Sequence, residues 1–254
     1  MTRSLAFSME YQFGSALDAG NDRETNEDRA VCCPESDFFA VIDGMGGLPG
    51  GERAAAFLEQ ILPLSIRRLI ESLPEDCPVE RAALELVSML GDLSDSLYER
   101  TNEHGAISHG AALCAVWLVR RCVIVVHLGD CRVYWMRRYS DRVYALTDDH
   151  NVAAQLIAAG ALGSEEARVH ASSARLTRFM GMRTPGAPEM TCRRLNEGDR
   201  LLLCSDGLYR EISNQELALV QCANGSVQEK CDRLIALAKE RDGQDNISLV
   251  LLSF

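Results

Sequence analysis

The chain has 254 residues, a formal net charge of −11 and 47% hydrophobic residues, a composition suited to a folded globular protein. The acidic balance argues against a nucleic-acid partner, whose phosphates need a basic face. No apolar run approaches the roughly 18 residues that span a bilayer, and the start of the chain lacks a signal-peptide pattern, so no membrane association is expected and the location expected is cytoplasmic.

Residues 4–14 alternate, with Phe7, Met9, Tyr11 and Phe13 on one side, which predicts a half-buried strand. A polar loop follows at 18–29, then a short strand at 30–33. The stretch Phe38-Phe39-Ala40-Val41-Ile42-Asp43-Gly44-Met45-Gly46-Gly47 is the centre of the chain. Its apolar run reads as a buried strand that ends on a carboxylate and then glycines. A bare Asp at the tip of a core strand needs a strong partner, because an unpaired buried charge is costly. A carboxylate repels phosphate, so Asp43 calls for a cation.

Helical periodicity runs over about 52–73, where Pro63 is expected to kink or divide the helix, and over 79–103, with Leu84, Val87, Leu90, Leu93 and Leu97 on one side. Short apolar strands at 111–119, 122–128 and 132–136 read as an antiparallel meander. A strand at 143–146 and a short helix at 152–159, closed by Gly160, come next. Residues 163–188 have weak periodicity, three glycines and two prolines. They predict a flap over about 148–188. A strand at 200–204, helices near 214–222 and 226–241 and a last strand at 247–252 complete the reading. No linker or repeat divides the chain, so residues 1–254 are expected to form one α+β domain. The ten cysteines include no C-x-x-C pair and read mostly as free buried thiols, with Cys32-Cys33 the candidate redox pair.

Carboxylates recur where strands meet turns: Asp43-Gly44, Gly129-Asp130 and Asp206-Gly207, with Asp245 before the last strand and Glu27-Asp28 in the early loop. One Asp beside a Gly is ordinarily a turn. Several at the edges of one sheet system form an oxygen-only donor set, which favours Mg²⁺ or Mn²⁺ over zinc. Two such ions can generate a nucleophilic water and clamp an in-line displacement at phosphorus. Arg23, close in sequence and opposite in sign, suits the phosphate itself. His150 follows two acids but reads as ordering the flap, and His127, Trp117 and Trp135 read as packing.

The order Arg23-x-x-x-Glu27-Asp28, Asp43-Gly44-Met45-Gly46-Gly47, Gly129-Asp130-Cys131-Arg132, Ser205-Asp206-Gly207-Leu208 and Asp245-Asn246-Ile247-Ser248 resembles the metal-dependent PP2C-type Ser/Thr protein phosphatases, in their compact bacterial branch. Leu146-Thr147-Asp148-Asp149-His150 and Leu176-Thr177-Arg178-Phe179-Met180-Gly181 resemble that branch around its flap. The resemblance implies two packed antiparallel sheets flanked by helices, with metals at one edge. It implies that Asp43 bridges two tightly held Mn²⁺ or Mg²⁺ ions, that the Gly44 carbonyl and Glu27 serve the second, and that Asp206 and Asp245 hold the first. Asp130, with Asp206, matches ligands of a third, weaker ion. Arg23 matches the phosphate-binding arginine, and Asp28 a partner just outside the ligands; these two form the expected catalytic pair. Phosphorylated Ser/Thr proteins and a cognate kinase are the implied partners, and a monomer is expected.

This chain departs from the family at Gly110-Ala111-Ala112, at Cys131 and at Met45, where animal-type members carry a His. The first two are expected to alter packing. A dinucleotide-binding enzyme is disfavoured because Pro49 falls where the third fingerprint glycine would be. The remaining rival is a catalytically inactive regulatory module of the same fold, which the complete carboxylate set disfavours.

Overall fold

The computed structural model describes residues 5–45, 50–102, 109–138, 140–163, 171–183 and 186–254. Among the described residues, ten strands make two five-stranded antiparallel sheets. One sheet runs β1 (Gln12–Asp18), β10 (Ile247–Ser253), β9 (Arg200–Cys204), β6 (Arg132–Met136), β7 (Val143–Ala145). The other runs β2 (Asp28–Cys33), β3 (Phe38–Met45), β4 (Gly110–Val119), β5 (Cys122–Leu128), β8 (Glu189–Arg194).

The side-chain period of two sorts the strands into layers. Phe39 and Val41 of β3 meet Leu201 and Leu203 of β9 and Val250 and Leu252 of β10 between the sheets. Phe38, Ala40 and Ile42 point the other way, onto α1 (Gly50–Ser72) and α2 (Val79–Asn102). On the far side, Leu249 and Leu251 meet α5 (Asn214–Cys222) and α6 (Val227–Arg241). Two shorter helices, α3 (Val152–Ala158) and α4 (Asp206–Tyr209), sit at strand ends. Both faces of β4 are therefore covered, and all ten of its residues are buried.

Three expectations change. The alternation at the start of the chain is not a strand: strand pairing begins only at Gln12, and residue 4 lies outside the described residues. Phe7 and Tyr11 instead form an edge-to-face cluster with Phe39 and Phe254, and Tyr11 donates a 2.9 Å hydrogen bond to Asp37. Nor is there a meander through β6. Strands β4 and β5 pair, but Gly129, at φ +116°, turns the chain across the sandwich, and β6 joins β9 and β7. Pro63 lies inside an undivided α1, because Leu58, Leu62 and Ile66 on either side of it are fully buried in one core.

On α2 the buried stripe is Ala83, Leu86, Leu90 and Leu97, whereas Leu84 is 63% exposed. The end of the reading for that helix, residue 103, lies outside the described residues, as do Gly46, Gly47 and residues 164–170 and 184–185 of the flap segment. All ten cysteines are free. Cys32 and Cys33 face opposite sides of β2, and burial pushes Cys33 up to about 11, so the adjacent pair has no disulfide and no reactive thiolate.

Candidate functional site

The carboxylates converge because strand period and register both place them on one face at one end. Asp43 continues the Phe39–Val41 face of β3 and so points between the sheets. Asp28 is its direct cross-strand partner on β2. From the opposite sheet, β9 ends at Cys204 and α4 begins with Asp206, while Asp245 precedes β10. Asp130 follows the Gly129 crossing. Asp28, Asp130 and Asp206 are buried.

Crowding shows in their proton affinities. Burial, and then the charges of Asp28, Asp206, Asp130 and Asp245, hold Asp43 well above the usual carboxylate range. Burial and then Asp206 do the same to Asp130. Asp28 is pushed up to about 7 by burial, although Ser205 and Ser248 hydrogen bonds pull it down. Like charges placed directly opposite each other destabilise a sheet, so this cluster is built for a cation.

Glu27 and Gly44 make a second subsite. Gly44 N–H donates to the Glu27 carbonyl at 3.2 Å. A Cβ added to Gly51 would lie 2.7 Å from Glu27 Oε2 and 2.8 Å from the Gly44 carbonyl oxygen. Only glycine leaves that space open, and two oxygens border it. Glu27 Oε1 is buried with no hydrogen-bond partner, and burial raises the carboxyl above its ordinary range. Buried polar oxygens are rarely left unpaired, so this donor set fits a hard divalent cation.

Two side chains not singled out in the sequence hold the frame. Asn246 accepts from Glu27 N–H at 2.8 Å and donates to the carbonyls of Ala19 and Thr25, both at 2.9 Å. It thereby pins the loop that carries Arg23 and Glu27. Ser205 Oγ donates to Asp28 Oδ2 at 2.6 Å and accepts from Ser248 N–H at 3.0 Å, bridging the two sheets. Both residues sit inside the quoted motifs, but their spacing shows no chemistry of its own.

Arg23 lies at the mouth, 54% exposed, with Nη2 2.9 Å from Asp245 Oδ1. Arg210 Nη2 is 2.6 Å from Asp206 Oδ2. Both arginines line a cleft of about 440 Å³ with Gly207, Glu211, Gln244 and Asp245.

His127, His150 and Glu189 are the one compact three-residue group of possible metal donors found among the described residues. The two rings stack 4.6 Å apart and nearly parallel, at 20°. Lone pairs in the planes of stacked rings do not converge on one ion, and Arg178 already pairs with Glu189. The group is structural. His127 Nε2 meets the Asp148 carbonyl at 2.8 Å, and a carbonyl only accepts, so that nitrogen carries the proton. His150 Nδ1 accepts from Gly129 N–H at 3.1 Å, and its Nε2 faces Glu189.

His150 therefore anchors the Gly129 turn as a neutral ring, and burial, then His127 and Arg178, lower it to about 4. Here the unfolded chain binds a proton near pH 6.5 that the folded chain refuses until about pH 4, so the ring's contribution to stability falls as pH drops through that window. In chelator, where metal release plays no part, the buried carboxylates take up protons over the same window and stabilise the fold as pH drops. The contribution of His150 is therefore read as the difference between the native melting curve and that of His150→Asn from pH 6.5 to 4. Relative to the native protein, His150→Asn should gain melting temperature as pH drops over that range. Equal slopes would remove His150 as the titrating anchor.

The departures Gly110-Ala111-Ala112 and Cys131 are packing features. A Cβ on Gly129 would lie 2.4 Å from the Ala112 methyl, and Cys131 is 1% exposed between the sheets.

Residues 21–249 match the protein family described as Protein phosphatase 2C. Protein phosphatase PhpP of Streptococcus pneumoniae is 26% identical over 240 residues, 93% of this chain and 94% of that one. The crystal structure of Ser/Thr phosphatase Stp1 from Staphylococcus aureus superposes with a TM-score of 0.87 at 25% identity, covering 100% of this chain and 99% of that one. The catalytic domain of the Ser/Thr protein phosphatase PstP, solved with two manganese ions, gives 0.78 at 25% identity, over 96% and 97% of the two chains.

Proposed function

This chain belongs to the protein phosphatase 2C family of metal-dependent Ser/Thr protein phosphatases, and we propose that Asp43, Asp206, Asp245, Glu27 and the Gly44 carbonyl hold its pair of divalent cations. The convergence of mutually repelling carboxylates from both sheets, with two arginines at the same cleft, carries this reading. Two Mn²⁺ or Mg²⁺ ions would supply, when bound, a nucleophilic water and positive charge for the phosphoryl oxygens. Asp130 joins Asp206 as ligand of a third, weaker ion.

The chain's own residues do the rest. Arg23 is exposed enough to meet an incoming phosphoryl group and presents two parallel N–H donors to its oxygens. Asp28, held by Ser205, keeps the sheets in register beneath Asp43. The substrates are phosphoserine and phosphothreonine proteins, the activity reverses a bacterial Ser/Thr kinase, and the protein works as a cytoplasmic monomer. No helix among the described residues is long and apolar enough to cross a membrane. The inactive-module reading has no support in the site, where every carboxylate of the motif is present.

Turnover of a phosphothreonine peptide with added Mn²⁺, and its abolition by chelator, is the deciding measurement. Full activity of a metal-stripped sample would overturn the proposal. Arg23→Ala should raise KM by about ten- to a hundredfold, the loss of a charge-assisted contact worth about 1.5–3 kcal/mol. Arg23→Lys should recover only part, because an ammonium cannot clamp two oxygens at once.

A further inference from the structure

The first-ion carboxylates are each already matched with a guanidinium: Asp245 with Arg23 at 2.9 Å and Asp206 with Arg210 at 2.6 Å. We propose that Arg210 is a displaceable counter-ion that holds Asp206 while the metal site is empty. Once a divalent cation takes the carboxylate, Arg210 turns to the cleft as a second phosphoryl-binding residue beside Arg23. The proposal rests on the metal reading above.

An Asp–Arg pair four residues apart is common on helix surfaces and contributes little there. Several features set this pair apart. The helix α4 is only four residues long, so no helical face needs the pair. Asp206 is buried at 8% exposure, whereas the Arg210 side chain is 31% exposed and reaches the cleft wall that Arg23 and Asp245 also form. Arg210 also feels Asp130 and Asp245 besides Asp206, so its charge sits at the mouth of the carboxylate cluster.

Displacement then follows from charge balance. A divalent cation bound to Asp206 neutralises the carboxylate that attracted Arg210 and repels the guanidinium. The side chain is left within reach of the same cleft, where a phosphoryl group brings the negative charge it has lost. Metal loading and anion binding are coupled through the arginine, and by linkage an anion in the cleft favours the loaded site. The bidentate fork of Arg210 suits phosphoryl oxygens for the same reason that Arg23 does.

The test is Mn²⁺ titration by calorimetry with Arg210→Gln and Arg210→Lys, alongside kcat and KM for a phosphothreonine peptide at saturating Mn²⁺. Removing the competitor should tighten Mn²⁺ binding by about three- to tenfold in Arg210→Gln. Arg210→Lys keeps the competing charge and should bind Mn²⁺ much as the native chain does. In Arg210→Gln, KM should rise about tenfold with kcat nearly unchanged. A merely structural ion pair would lower the melting temperature and move neither Mn²⁺ affinity upward nor KM. Mn²⁺ binding by Arg210→Gln that equals or falls below the native value overturns the proposal, and tightened binding with unchanged KM overturns its phosphoryl half. Failure of the native protein to bind Mn²⁺ at all would instead overturn the metal reading beneath it.

Discussion

Asp43→Asn should lose several orders of magnitude in kcat with its fold intact. The reason is positional. Asp43 stands directly across from Asp28 and feels the charges of Asp28, Asp206, Asp130 and Asp245. An amide matches the carboxylate in shape but gives up the charge that attracts a hard cation. Each tenfold loss in rate corresponds to about 1.36 kcal/mol of lost transition-state stabilisation. A surface mutation that only weakened the fold would not produce a deficit of several such steps. Stability should move in the opposite direction. Without metal, burial and four neighbouring carboxylates disfavour the charged form of Asp43, so replacing it by a neutral amide should leave the melting temperature in chelator unchanged or raise it. Native-like kcat in Asp43→Asn with Mn²⁺ present would exclude Asp43 as a ligand. A large fall in melting temperature in chelator would assign it to the frame instead.

The legibility of this site follows from how its parts are encoded. Asp43 and Asp206 stand out in the sequence because each follows an apolar strand, where a lone charge demands a reason, whereas Asp245 is marked only by the strand it precedes. The ends of two helices have a structural cause that the sequence reading does not use. Ser213 and Ser226 begin α5 and α6 with reciprocal Ser–Glu capping boxes, through Glu216 and Glu229, and the structure places those helices within a residue of expectation.

What could not be read was information held between distant residues. Strand β8 is an edge strand with almost wholly exposed side chains, so it carries no alternation, and only its pairing with β5 reveals it. Strand β6 looks like the third strand of a hairpin series until the positive φ at Gly129 sends it to the other sheet. Phe7 and Tyr11 alternate as a strand would, yet they are an aromatic plug whose partners lie at Phe39 and Phe254. Asn246 and Arg210 gain their roles from neighbours more than 200 residues away in one case and from a buried carboxylate in the other. No local pattern encodes the first, and the second is an i,i+4 pair whose meaning depends on the burial of Asp206.

Asp130→Asn should separate turnover from tight metal binding. The competing account makes Asp130 a cap for the Gly129 turn, in which case its loss would cost stability. The structure shows how that turn is held: Gly129 N–H donates to His150 Nδ1 at 3.1 Å, and the Gly129 carbonyl accepts from His150 N–H at 3.0 Å. The turn therefore has its own anchor in His150, and Asp130 is not needed for it. Asp130 instead feels Asp206, Asp149, Arg210 and Arg132, and burial, then Asp206 and Asp149, raises its proton affinity well above the ordinary carboxylate range. Such a carboxylate gains most from a further cation shared with Asp206 and least from remaining bare. With Asn at 130, the melting temperature in chelator should be preserved or raised, since one repelling charge is gone. Calorimetric titration should still find the tight Mn²⁺ sites built on Asp43, Asp206 and Asp245. Turnover should nevertheless fall sharply, and raising Mn²⁺ should not restore it, because the missing ligand belongs to the weaker site. Unchanged kcat, or a loss accounted for by a lower melting temperature, would take Asp130 out of the reaction and return it to the turn.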